Sequence, residues 1–173
     1  LHLDRYGIDA ELTSTERVGI HRYRFEKSGP AEIIVNLGGK LGEANMKDAH
    51  VTRVGRRSIE GWVRQRGDGY ASHDTKLFFD IRVDRPFDSM RGWVRDKLRD
   101  EPLDELSGDQ MGVWLRYDHL RRGEVVQMKV ALSLTGNDGA TRNLTAEAPG
   151  WNFDGMRRSA QKRWNDMLGR VDV

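Results

Sequence analysis

The chain has no cysteine among its 173 residues, an almost balanced charge of +2 from 29 basic and 27 acidic side chains, and no long apolar run. Each absence excludes a class of protein. Without cysteine there is no disulfide framework, no thiolate nucleophile and no cysteine-ligated zinc. The redox compartment stays open, because a cysteine-free protein works on either side of a membrane. No stretch approaches the ~20 consecutive apolar residues of a membrane-spanning helix. The start Leu1-His2-Leu3-Asp4-Arg5 has neither a Met nor the basic-then-apolar order of a signal peptide, so the sequence reads as cut from something longer. The charges are interspersed. Arg56-Arg57 and Arg121-Arg122 sit beside glycines and read as solvated turns rather than a nucleic-acid patch.

What is present is an ordinary globular composition, with 37% hydrophobic residues and 19 glycines. A chain of this size buries about 70% of its unfolded surface, so it needs no metal or disulfide to fold. The first two-thirds runs in period two, the pattern of half-buried antiparallel strands. Ile8, Ala10 and Leu12 alternate with polar residues, as do His21, Tyr23 and Phe25. Gly29-Pro30 reads as a turn, and Ile33-Ile34-Val35 as a strand buried on both faces. Ala49–Val54 and Ser58–Val63 make a hairpin across Gly55-Arg56-Arg57, and a polar loop is expected from Arg64 to Thr75. Leu77, Phe79, Ile81 and Val83 give the cleanest alternation. Ser89–Val94 reads as a further strand and Arg95–Gln110 as an exposed loop or short helix. Met111–Tyr117 and Glu124–Leu134 read as a second hairpin, for eight or nine strands in all.

At Thr135 the period changes. Thr135 and Asp138 have the spacing of a capping box, opening a helix that ends by Pro149-Gly150. A second helix starts near Asn152, with Trp151 and Met156 placed as a hydrophobic staple and a stripe of Phe153, Met156, Ala160, Trp164, Met167 and Leu168 at 3.6-residue spacing. This divides the chain into a β-sandwich over residues 1–134 and a helical segment over 135–173.

Signals for chemistry are sparse. The five histidines, at 2, 21, 50, 73 and 119, show no metal-motif spacing, and His21 reads as a hydrogen-bonded core residue. No phosphate-cradling glycine loop or Gly-x-Ser-x-Gly elbow occurs. Carboxylates are too numerous for any pair to be singled out. Trp93 and Trp114 read as packing residues, and Trp151 and Trp164 as packing the helices. Trp62 and the loop after it are the candidate sugar contact, because a flat apolar ring beside mixed donors and acceptors suits a pyranose. The residues singled out are Trp62, Gln65, Asp68, Tyr70, His73 and Asp74. The bland alternatives are a core Trp62 at a strand end and a solvated connection.

Longer matches carry a family resemblance. Glu11–Phe25 (ELTSTERVGIHRYRF), Ala31–Leu37 (AEIIVNL), Ile59-Glu60-Gly61-Trp62 and Arg85-Pro86-Phe87 resemble the N-terminal domain of glycoside hydrolase family 92. Val125–Ser133 (VVQMKVALS), Ala140–Leu144 (ATRNL), Pro149–Phe153 (PGWNF) and Trp164-Asn165 are similar to that domain's exit segment. The resemblance implies a mainly β chain: a galactose-mutarotase-like antiparallel β-sandwich fragment whose two C-terminal helices lead toward an (α/α)6 barrel of the same chain. It implies a calcium-dependent, inverting exo-α-mannosidase acting on α-mannoside glycans, mostly bacterial and exported, with catalytic carboxylates and calcium ligands in the barrel. No catalytic or metal residue is therefore expected in this segment, which is expected to be inactive alone. One departure is that Arg64–Thr75 contains no cysteine, where the family often has one near the terminal-mannose site. The rival expectations are a free-standing, non-catalytic carbohydrate-binding module and a purely structural domain.

Overall fold

Alternation along a strand sends successive side chains to opposite faces, so each strand has one set of residues to bury. A computed structural model, describing residues 1–39, 44–67 and 74–170, shows where those sets go. One antiparallel sheet is built from β1 (His2–Leu3), β2 (Ile8–Ser14), β3 (Val18–Phe25), β12 (Val125–Ser133), β7 (Asp74–Val83), β6 (Ser58–Gly67), β5 (Ala44–Arg53) and β10 (Glu105–Gly108), in that spatial order. The second sheet contains β4 (Gly29–Asn36), β11 (Met111–Leu120), β8 (Ser89–Val94) and β9 (Lys97–Arg99). Between the sheets lies the main core, with Phe25, Val51, Ile59, Phe79 and Met128 facing Ile33, Met90, Val113 and Leu115. Helices α1 (Asn137–Glu147) and α2 (Phe153–Leu168) make a third layer on the outer face of the large sheet. There Val18, Ile20 and Ala131 meet Ala140, Leu144, Ala148 and Phe153 in a second core.

The helix layer is fixed by polar anchors as well as by apolar burial. Lys129, only 2% exposed, donates from Nζ to the Ala148 carbonyl at 2.6 Å and lies 4.0 Å from the centre of the Trp151 ring. A cation there satisfies a carbonyl at the C-terminus of α1 and complements the negative end of its dipole. At the other end, Asn137 donates to the carbonyls of Gly61 and Phe79, and the Thr141 hydroxyl donates to the buried Asp80, itself held by Arg82. Asn152 caps α2, accepting from the Gly155 amide at 3.0 Å, as its position before the helical stripe predicts.

Several expectations are corrected. The strands Met111–Tyr117 and Glu124–Leu134 do not form a hairpin. β11 pairs with β4 and β8 in the small sheet, whereas β12 pairs with β3 and β7 in the large one, so the connection crosses between layers. Ile34 is 67% exposed rather than buried, because β4 is an edge strand of a sheet with an open outer face. Gly29-Pro30 starts β4 instead of turning the chain; proline is compatible with an edge. The segment 95–110 contains β9 and β10 rather than a helix, which with β1 raises the count to twelve strands among the described residues. No side chain caps α1: its N-cap is Gly136 at φ 143°, and the Thr135 hydroxyl pairs with that of Ser133.

Gly61 shows how closely the inner layer is packed. A Cβ there would lie 1.9 Å from the His50 carbonyl oxygen and 2.8 Å from the Phe79 ring, and a backbone atom cannot swing away. Gly61→Ala is expected to destabilise the fold by about 1–3 kcal/mol or more. Urea unfolding checks this, with a lowered midpoint as the expected result.

Candidate functional site

The large sheet outruns its helix layer, and Trp62 lies on the same outer face as that layer. Ser107, His50, Trp62 and Phe78 lie in one cross-strand row over β10, β5, β6 and β7. His50 Nδ1 is 2.7 Å from the Ser107 hydroxyl and its Nε2 is 2.9 Å from the Thr52 hydroxyl, so the imidazole is held at both nitrogens. Its ring stacks on Trp62 at 6.3 Å between centres, and the Lys76 ammonium lies 4.0 Å from the indole centre. The half-buried indole is therefore flanked by protein groups. Asp74 is exposed on the same face, 3.6 Å from Arg64 Nε. Gln65 belongs to the opposite face, by strand alternation, and its backbone pairs with Thr75. Of the six residues singled out, only Trp62 lies in the row; Asp74 shares its face but pairs with Arg66, and Asp68, Tyr70 and His73 lie outside the described residues. The loop expected from Arg64 is shorter at both ends, since β6 continues to Gly67 and β7 starts at Asp74. His50, Lys76 and Ser107 were missed, because only the register brings them to Trp62.

A second concave feature lies where α2 leaves the sheet. A groove of about 820 Å³ is bounded by the β2–β3 turn (Ser14, Thr15, Glu16), the end of α1 and the stripe Met156, Ala160, Trp164 and Met167. Its floor is braced by charge. Glu147 accepts from the Thr15 hydroxyl at 2.6 Å and from the Arg17 amide and Nε at 3.0 and 2.5 Å. Burial alone would raise the carboxyl pKa, but these donors outweigh it and hold it below the ordinary range. Arg22 bridges Glu11 and Asp154 while its guanidinium covers Phe153 at 4.3 Å. Trp151 packs as expected, against Lys129, but Trp164 does not: its ring is 67% exposed at the groove.

The profile of the glycosyl hydrolase family 92 N-terminal domain matches residues 1–133. The chain belongs to that family. No curated protein matches it. Among solved structures, the family GH92 α-mannosidase BT3965 from Bacteroides thetaiotaomicron is similar at TM-score 0.86 and 23% identity, over 99% of this chain and 23% of that one. The same protein in complex with mannoimidazole gives 0.85. The inverting mannosidase BT2199 from Bacteroides thetaiotaomicron VPI-5482 gives 0.82 and 18% identity over 96% of this chain and 21% of that one. The family 92 segment therefore spans less than a quarter of the length of these solved relatives. Its likeness to them is one of fold.

Among the described residues, His2, Asp9 and Glu26 bring three ligating atoms within 4.8 Å of one another, but an imidazole and two carboxylates at the surface fall short of the six to eight oxygens that calcium takes. His21 is half-buried and bonds to the Tyr23 hydroxyl at 2.6 Å, as its place among core aromatics predicts. Burial lowers its pKa. At pH above about 6.5 the ring is neutral in folded and unfolded chains alike. As pH falls, the unfolded chain takes up the proton first, so stability is lost until the folded-state pKa is passed. The urea midpoint is expected to fall more steeply below about pH 6.5 in the wild type than in His21→Gln. Equal slopes in the two proteins would contradict this.

Proposed function

We propose that this chain is the N-terminal sandwich of an exo-acting, inverting α-mannosidase, forming one wall of a site for a terminal α-mannoside. The observation that carries the reading is the family 92 match over residues 1–133 on a chain that fills only 23% of a solved α-mannosidase of the same fold. The helices then lead from the sandwich into an (α/α)6 barrel of the same chain, which docks on the groove beside Trp164 and Met167. That occupant agrees with an apolar stripe left open on an otherwise charged helix.

Inversion requires one carboxylic acid to protonate the leaving oxygen and one carboxylate to activate water on the opposite face of the ring. A general acid needs a raised pKa, and Glu11, Glu147 and Asp154, the carboxylates that brace the helices against the sheet, are held the other way. Hydrogen bonds from Arg22 lower Glu11 and Asp154. Asp84 is raised by burial, yet it accepts the Gln127 amide at 2.8 Å and does not line the groove beside Trp164. The chain's own part is consequently positional. The Trp62 row faces substrate, while the acid, the base and the calcium ligands come from the rest of the polypeptide. Export from a bacterium completes the reading.

The purified 173-residue chain is expected to release no mannose from a simple α-mannoside with or without calcium, whereas the longer polypeptide releases it in a calcium-dependent way. Calcium-dependent mannose release by the chain alone would overturn the assignment of chemistry to the barrel. Trp164→Ala in the chain alone is expected to shift stability by no more than about 0.5 kcal/mol, because the ring is exposed. The open stripe should make the wild-type chain self-associate, and sedimentation of the two proteins would show association weakened in the variant.

A further inference from the structure

The inner face of the large sheet loses its cover toward β2. Two cross-strand rows on that face show where. The first runs Val83, Met128, His21 and Leu12 over β7, β12, β3 and β2. Val83 is 2% exposed and Met128 4%, His21 is half-buried, and Leu12 is 60% exposed. The second runs Ile59, Ile81, Val130, Gly19 and Ser14 over β6, β7, β12, β3 and β2, and passes from fully buried at Ile59 to exposed at Ser14. Charged residues of β2 and β3 take the other face, where Glu11 and Arg22 meet Asp154 of α2. Leu12 therefore points to the side of the sheet that carries the main core, in line with Ile8 and Ala10, and stands bare there.

The small sheet stops short of this strip. Its β8 lies against β10 at the far side of the large sheet: the Leu103 amide donates to the Met90 carbonyl at 2.8 Å, and a Cβ at Gly92 would lie 2.6 Å from the Leu106 side chain. Strand order then puts β4 at the opposite edge, toward β3 and β2. That edge is open. The Leu37 amide donates to the Met111 carbonyl at 2.9 Å and antiparallel bonding alternates, so the amides of Val35, Ile33 and Ala31 face β11 while those of Glu32, Ile34 and Asn36 face away from it. At 8 residues β4 is the longest strand that ends a sheet among the described residues, against 2 in β1, 3 in β9 and 4 in β10. Pro30 guards only its start, and its one charged side chain, Glu32, is neutralised by Arg116 at 2.9 Å. A long edge with unpaired donors and acceptors is a template for another strand.

We propose that an extended segment of the rest of the polypeptide adds a strand to the open edge of β4 and lays its apolar side chains over Leu12, His21 and Val130. Two independent features select a strand as the cover. The open ladder of backbone groups would be left unpaired by a flat ligand or a helix, and the bared inner face lies beside that ladder, within reach of the alternate side chains of a strand that widens the small sheet. A segment of the same polypeptide is preferred to a second copy, because β2 projects past β4 and the two copies of β2 would collide before two β4 edges could pair antiparallel. Such a segment is available, since the chain spans less than a quarter of its solved relatives. The proposal rests on the proposed function in one respect, that a longer polypeptide surrounds this sandwich.

The test is hydrogen exchange of the longer polypeptide, read by mass spectrometry with fragmentation that resolves single amides from Ala31 to Leu37. Glu32, Ile34 and Asn36 are expected to exchange as slowly as Ile33 and Val35, roughly a hundredfold or more below solvent-exposed amides. Fast exchange at those three beside slow exchange at Ile33 and Val35 would overturn the proposal. So would protection that is lost on dilution, which would give the edge to a second copy. Leu12→Asp in the longer polypeptide places a charge under the added strand, and is expected to release the same three amides while β12 stays protected. Unchanged protection in a folded Leu12→Asp would contradict the cover over Leu12. Should that variant not fold, the wild-type pattern decides alone. Failure of the mannosidase reading would appear separately, as absence of mannose release by a longer polypeptide whose β4 amides are protected.

Discussion

A buried ammonium group organises the helix side of this protein. Charge taken out of water must be hydrogen-bonded or it destabilises the fold. Lys129 in the middle of β12 donates to the Ala148 carbonyl at the end of α1 and lies against the aromatic face of Trp151. Burial lowers its pKa, so the folded state holds the charge against a desolvation cost that those two partners offset. The consequence reaches along the chain. Fixing Ala148 fixes the turn between the helices, Trp151 then sets the entry of α2, and Asn152 caps it. The groove beside Trp164 inherits its position from this chain of contacts.

The same strand explains the three layers. β12 sends Val126 and Met128 to the core between the sheets and Lys129 and Ala131 to the core under the helices. A strand buried on both faces needs cover on both sides, which the small sheet and the helices supply. Beyond this central strip the cover ends. The outer face of the large sheet there holds the half-buried Trp62 and His50, and the outer face of the small sheet holds the half-buried Trp93 and Trp114. Both faces hold pairs of stacked aromatic rings at defined cross-strand positions.

Legibility in the sequence followed the range of the interaction. Period-two runs marked β3, β6, β7 and β12 because inward alternation is local to each strand. The 3.6-residue stripe and Asn152 marked α2 for the same reason. The partner of each strand was not legible. Alternation says which residues face a core but not which core, so β11 and β12 read as neighbours although they lie in different sheets. Ile34 misled because an apolar triplet is equally compatible with an open face. The α1 cap misled because the helix opens one residue later, with Gly136 at the N-cap, and the Thr135 hydroxyl pairs with that of Ser133. Around the candidate site, Trp62 was visible as an aromatic before a polar stretch, while His50, Ser107 and Lys76 come to it only through register. The family motif Ile59-Glu60-Gly61-Trp62 was visible, but the reason for its glycine, the approach of the Phe79 ring and the His50 carbonyl, was not.

If the helix layer is the joint between this sandwich and the rest of an α-mannosidase, α2 should be the part of the chain most altered by the polypeptide that continues it. Hydrogen exchange on the chain alone and on the longer polypeptide tests this directly. The account predicts that amides from Ala160 to Leu168 exchange quickly in the chain alone and are strongly protected in the longer polypeptide, with β12 equally protected in both. Equal exchange of α2 in the two proteins would contradict it.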